Sequence, residues 1–152
     1  MLAFWRGLND SYVREKLLHS WENRPRLLIQ KGRKPSLEEQ DRSFHEAFKT
    51  SKFCICPAGP DIDRYIALAI QYGCVPVILS DYYDLPFTDI LDWRTFSLIV
   101  KESSVYYIKG LLEVVGEPEY QALQTNVVRV QIFLSHKPST SIVSEILSGK
   151  DL

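Results

Sequence analysis

No stretch of the sequence approaches the roughly 18 consecutive apolar residues that a membrane helix needs, and Met1 to Gly7 lack the charged, then apolar, then small layout of a signal peptide. As it stands, then, nothing exports or anchors the chain. Charge of one sign is also missing. With 18 Lys+Arg against 19 Asp+Glu and a formal net charge of -1, general attraction to nucleic acid or an anionic membrane is absent, and any anionic ligand must be held by local groups. Cysteine is scarce, three in number, and Cys54, Cys56 and Cys74 lack the paired spacing of a zinc site. Cys54 and Cys56 alternate with Phe53 and Ile55 as along a strand, so buried free thiols are the simplest reading. A disulfide from Cys74 to Cys54 or Cys56 stays open if those strands are neighbours and the compartment is oxidising. His19, His45 and His136 are too scattered for a Ser/His/Asp or metal grouping. Repeats, low-complexity segments and linkers are absent too.

What the chain does have is length and apolar content. Its 152 residues are 45% hydrophobic and 12% aromatic, which suits one globular domain with its own core and excludes a disordered or fibrous chain. Leu2-Ala3-Phe4-Trp5 reads as a strand running into Arg6-Gly7; Asn9 or Asp10 can then cap a helix with Val13, Leu17, Leu18 and Trp21 on one face. Arg26 to Gln30 reads as a second strand and Lys31-Gly32-Arg33-Lys34-Pro35 as a basic, solvated loop. Ser36-Leu37-Glu38-Glu39 then forms a capping box that opens a helix carrying Phe44 and Phe48. Lys52 to Cys56 is a third strand, followed by a turn over Pro57 to Pro60 and a helix bearing Ile62, Ile66, Ala69 and Ile70 that Gly73 ends. Cys74 to Leu79 is nearly all apolar, as befits a strand covered on both faces, although Pro76 removes one ladder donor. Thr95 to Val100 is the fifth strand. The rest is helical: Val105 to Val115, Tyr120 to Leu134 with Pro118 in its first turn, and a short helix over Ser141 to Leu147.

Strands alternating with helices predict an α/β fold: a Rossmann-like, doubly wound, mostly parallel sheet in a single domain over 1–152, with 134–152 a helical tail. Ligands of such sheets bind outside the carboxyl ends of the strands, here Arg6-Gly7, Pro57-Ala58-Gly59 and Ser80-Asp81-Tyr82-Tyr83. Cys56 to Arg64 joins a strand end, a Gly-containing turn and a helix start, a geometry in which backbone N–H groups and the helix dipole can hold phosphate. One glycine is neither a Gly-x-Gly-x-x-Gly nor a Walker loop; Asp61 and Asp63 fit ordinary capping, and Arg64 is the nearby counter-charge. Ser80 to Phe87 offers a hydroxyl, carboxylates and phenols to the same edge, or else a packed connection in which Leu85, Pro86 and Phe87 plug the core. Asp81 and Asp84 find no third ligand at metal spacing. Asn9-Asp10-Ser11 is an N-glycosylation sequon.

Taken in order, four segments resemble the exostosin-like glycosyltransferases: Ser51 to Gly59, Ala69 to Asp81 with its Gly73-Cys74-Val75-Pro76-Val77-Ile78, Leu85-Pro86-Phe87, and Leu91-Asp92-Trp93-Arg94-Thr95-Phe96-Ser97. Phe4-Trp5-Arg6-Gly7, Val13-Arg14 with Leu17-Leu18 and Trp21, and the helix over Tyr120 to Phe133 extend the likeness to Leu2 to Phe133. The resemblance implies a two-domain GT-B glycosyltransferase of which this chain is the carboxyl-terminal, nucleotide-sugar-binding half, with an amino-terminal GT-B domain or a related glycosyltransferase as its partner. It implies inverting transfer from a nucleotide sugar to a glycan or polysaccharide acceptor in the Golgi, without cofactor, metal-binding DxD motif or nucleic acid. On this reading the donor-binding residues are Arg6, Gly59, Arg64, Ser80 and Asp81, and no catalytic residue is assigned. The Gly59 turn would face the diphosphate, Arg64 would help neutralise the leaving nucleoside diphosphate, and Ser80 and Asp81 would line the cleft. The family's Ser-x-Arg-x-x-Glu-Ala is not kept. Its glutamate falls on Ala67 counting from Arg64 and on Leu68 counting back from Ala69-Ile70, and neither accepts a hydrogen bond. As one of the two domains between which a GT-B cleft closes, this chain is not expected to carry out transfer alone; the absent glutamate, with Asp61 and Asp63 in the loop, points to the alternative, a catalytically inactive exostosin-like module that acts by pairing with another protein.

Overall fold

Strands β1 (Ala3–Gly7), β2 (Leu27–Lys31), β3 (Phe53–Pro57), β4 (Val75–Leu79) and β5 (Leu98–Val100) form one sheet in the order β2-β1-β3-β4-β5, every pair parallel. The computed structural model describes residues 1–135, so the helix expected over Ser141 to Leu147 lies outside the described residues. The chain steps outward from β1 to β2, returns past β1 to β3 and continues the other way. This is the doubly wound α/β arrangement expected, and its strand order reverses between β1 and β3. Central β3 and β4 are buried at every residue and so are unbroken apolar runs, whereas edge strands β2 and β5 leave positions exposed.

Pro76 is tolerated inside β4 because of direction. Val75 N–H donates to Lys52 O on the β3 side, so the next position turns its N–H side toward β5, where pairing begins only at Val77 opposite Leu98. The same register explains a correction to the cysteine reading. With Phe53 opposite Val75, Cys74 lies one residue before β4, diagonal to Cys54 on the same face of the sheet. The two form a disulfide with Cα atoms 5.9 Å apart, and Cys56 alone is a buried free thiol.

Helices α1 (Tyr12–Trp21), α2 (Pro35–Glu38), α3 (Arg42–Thr50), α4 (Ile62–Gln71), α5 (Ile108–Glu113) and α6 (Glu117–Ser135) follow the expected order with two corrected starts. The cap of α1 is Ser11, whose Oγ accepts from Arg14 N–H; Asp10 is drawn instead to the Arg14 guanidinium at 2.7 Å. The Ser36 capping box does not form. Pro35 opens the single turn α2, Glu38 folds back onto Arg33 and Arg6, and α3 starts afresh with Asp41 as its cap. Gly73, at φ 72°, ends α4 as its position predicts. The fifth strand is shorter than expected because Asp92 caps a 3-10 turn over Trp93–Thr95. Among the described residues no helix is long and apolar enough to cross a membrane.

Candidate functional site

The turn between β3 and α4 is built by residues from three elements. Ala58 N–H donates to Leu79 O at 2.9 Å, extending the sheet one step beyond β3. Ser11 Oγ donates to Ala58 O at 2.6 Å. Arg14, 2% exposed, directs Nη2 to Pro57 O at 3.3 Å and to Pro60 O at 2.6 Å, and Nη1 to Asp10 at 2.7 Å. Its guanidinium lies over the rings of Tyr65 and Trp5, 5.3 and 6.0 Å from their centroids. Gly59 fits here because it has φ 145° and because a Cβ would stand 2.9 Å from both Cζ and Nε of Arg14. Asp61 heads α4 in the left-handed conformation, φ 62° and ψ 23°, with no side-chain cap bond, so the expected capping does not occur there. Asp63 accepts instead from the Tyr83 hydroxyl, tying α4 to the loop after β4. The Tyr65 hydroxyl donates to Arg6 O at 3.2 Å over Gly7. Burial pushes its pKa up to about 12, an upward shift that the Arg14 charge opposes and Asp10 and Asp61 reinforce.

The five expected donor residues share the carboxyl edge of the sheet without forming one pocket. Arg6 donates to Gln30, Glu38 and Ser43 at 3.0, 3.3 and 3.2 Å, locking it to the α2–α3 segment. Glu38 is 3% exposed. Burial acts to raise its pKa, but hydrogen bonds from the Arg33 side chain and backbone, then from Arg6, bring it below its ordinary value. Arg64 is paired with Glu39. The arginine beside the Gly59 turn is thus Arg14 rather than Arg64, a correction that follows from side-chain direction: Arg64 leaves α4 toward α2, whereas Arg14 points under the turn. Ser80 and Asp81 line an open groove of about 630 Å³ with Tyr82, Arg94, Ser97 and Lys101. Asp81 and Glu102 are tied reciprocally, each backbone N–H donating to the other's carboxylate at 2.9 Å. Ala67 and Leu68, the two positions onto which the resemblance would put a glutamate, are 1% and 9% exposed.

Chemically, the edge combines the N-terminus of a ten-residue helix, a turn with fixed carbonyls and a polar groove, which suits an anionic ligand carrying hydroxyl groups. Burial pushes the Cys56 thiol well up, so it is no nucleophile. Sequence reasoning missed Ser11, Arg14 and Tyr65 as site builders. The legible signal was Asp10 and Arg14 at i,i+4 spacing, with Arg14 next to the apolar face of its helix.

Residues 1–115 match the Exostosin GT47 domain. A protein of Arabidopsis thaliana named as a probable glycosyltransferase is 33% identical over 132 residues, 86% of this chain and 27% of its own length. Exostosin-1a of Danio rerio is 34% identical over 118 residues, 75% of this chain and 16% of its own. Exostosin-2 of Homo sapiens is 27% identical over 93 residues, 60% and 13% of the respective lengths. The chain spans about a quarter of the length of the plant relatives it matches. The matched residues run from β1 through α5 and include Arg6, Gly59, Arg64, Ser80 and Asp81, so the chain belongs to the exostosin GT47 family.

Proposed function

We propose that this chain is the donor-binding half of an exostosin-type glycosyltransferase, with a nucleotide sugar lying along the carboxyl edge of the sheet and its diphosphate facing the Gly59 turn. The observation that supports this reading is the place of that turn: it leads from β3 into α4 beside the reversal of strand order, where doubly wound sheets hold phosphate. In inverting transfer the acceptor hydroxyl attacks the anomeric carbon from the face opposite the nucleoside diphosphate, and negative charge grows on the departing oxygen as that bond breaks. The chain's task is to fix the donor and stabilise this charge with oriented N–H groups and the α4 dipole. Arg64, half-buried on the first turn of α4, would exchange Glu39 for the diphosphate, while Ser80 and Asp81 offer a hydroxyl and a carboxylate to the sugar. A second GT-B domain or a related glycosyltransferase would complete the cleft and bring the glycan acceptor; one plant relative is named as a probable glucuronoxylan glucuronosyltransferase. A Golgi location accords with the Cys54–Cys74 disulfide, since such bonds persist in oxidising compartments.

Calorimetric titration of the 152-residue chain with UDP and GDP, with and without magnesium, tests the reading. Saturable binding that weakens about tenfold in Arg64→Ala is expected, the loss of one charged contact. A folded chain that binds neither nucleotide refutes it. That result would favour the second reading, an inactive exostosin-like module acting through a partner protein, which the buried, apolar Ala67 and Leu68 support.

A further inference from the structure

We propose that Arg14 is the positioning residue of the donor turn: from α1, with Ser11, it holds the β3–α4 connection in a strained form that directs its N–H groups outward. The consequence for ligand binding rests on the donor-binding reading; the clamp itself does not. The turn departs from ordinary backbone twice, with φ 145° at Gly59 and φ 62° at Asp61, and such conformations persist only where the surroundings over-determine them. Here the determinant is α1. Ser11 Oγ takes Ala58 O, and Arg14 Nη2 takes Pro57 O and Pro60 O. Across a planar trans peptide the N–H points opposite to the preceding carbonyl. With the Ala58 and Pro60 carbonyls drawn toward α1, the Gly59 and Asp61 N–H groups therefore face away from it.

The clamp is itself immobilised. Asp10 holds Nη1, the Trp5 and Tyr65 rings flank the guanidinium, and the side chain is 2% exposed. A planar fork can serve two carbonyls and a carboxylate together, which a lysine ammonium at the end of a flexible stem does poorly. The bare Cα of Gly59 lies against Cζ and Nε, so the glycine and the arginine require one another. None of this needs Arg14 to touch a ligand.

The test compares amide hydrogen exchange and uridine diphosphate affinity in the wild-type chain, Arg14→Gln, and Arg14→Gln with Asp61→Gly, which accepts the left-handed conformation without strain. Arg14→Gln should speed exchange at Ala58, Arg64 and Tyr65, whose N–H groups are bonded to Leu79 O and Asp61 O, at least about tenfold relative to the β4 amides, and weaken uridine diphosphate by a similar factor, in line with losing charged hydrogen bonds. Asp61→Gly should recover part of the protection. In Arg14→Ala, millimolar guanidinium should restore part of the affinity, an effect that a general loss of packing would not produce. If Arg14→Gln does not fold, the double variant and the guanidinium arm carry the test. Wild-type exchange at the turn in a folded Arg14→Gln chain overturns the proposal, as does faster exchange with unaltered affinity. If the wild-type chain binds no nucleotide, the proposed function falls, and exchange alone decides the clamp.

Discussion

Gly59 has no room for a methyl group. Its φ of 145° and the 2.9 Å from a built Cβ to Arg14 mean that Gly59→Ala must shift either the turn or a buried guanidinium. The expected loss is about 1–3 kcal/mol of stability, read as a lower urea midpoint; an unchanged midpoint would mean that the turn is free to move. Cys56 gives an independent check on the thiols. Burial raises its pKa and encloses it, and its two fellow cysteines are bonded. A thiol reagent should therefore label nothing in the native chain and one thiol per chain after unfolding without reductant. Two or more labelled thiols would show that the Cys54–Cys74 bond is absent.

Between elements, the disulfide joins the beginnings of β3 and β4 across a sequence separation of 20, so Cys74→Ser should lower stability by about 3 kcal/mol, and reductant should lower the wild-type melting temperature toward the variant's. Alkaline pH and acid pH differ for the ends of β1 and β2, where Arg6 and Arg33 converge on Glu38 and Asp41. Glu38 titrates below its usual value of 4.5 in the folded chain, so the folded state binds its proton less readily than the unfolded one. Its contribution is full above the unfolded pKa and lost as pH falls through the folded one. Melting temperature measured from neutral pH to below the carboxylate range should fall less steeply in Glu38→Gln than in wild type, from a lower neutral starting point. Parallel curves would show that Glu38 is not held by its arginines.

The molecule as a whole offers a ligand one long edge with separate stations: the Gly59 turn, the Arg64–Glu39 pair and the Ser80 groove. Binding to the folded chain alone must raise its stability, by about 2.7 kcal/mol at a hundredfold excess over Kd, so UDP or GDP should raise the melting temperature in step with the calorimetric Kd. Leu68, 9% exposed and one turn after Arg64, is less enclosed than Ala67 at 1% and is the position of the two at which a glutamate disturbs the core less. Leu68→Glu should increase nucleotide affinity if the donor site is one that has lost a hydrogen-bonding side chain at this position. Unchanged affinity would favour the partner-binding module.

Much of the fold was legible because its signals are local. Five apolar runs, Gly73 as a helix stop and the buried character of Cys74 to Leu79 each depend on a few neighbouring residues, and all are present in the structure. The carboxyl-edge loops were legible for the same reason, since strand direction alone places them. What sequence order left open were contests between partners. Ser11 rather than Asp10 caps α1 because Asp10 has an arginine to meet, Glu39 pairs with Arg64 instead of closing a box on Ser36 while Glu38 turns to Arg33 and Arg6, and Cys54 rather than Cys56 reaches Cys74 through the register of β3 and β4. Arg14 was visible as a charge beside an apolar helix face, yet its role beneath a turn 43 residues away exists only once β1 and β3 are neighbours. Periodicity and turn chemistry set the elements, because they act over a few residues; the choice among competing hydrogen-bond partners waits for tertiary packing, which alone brings distant donors and acceptors within reach and removes the water that would otherwise satisfy them.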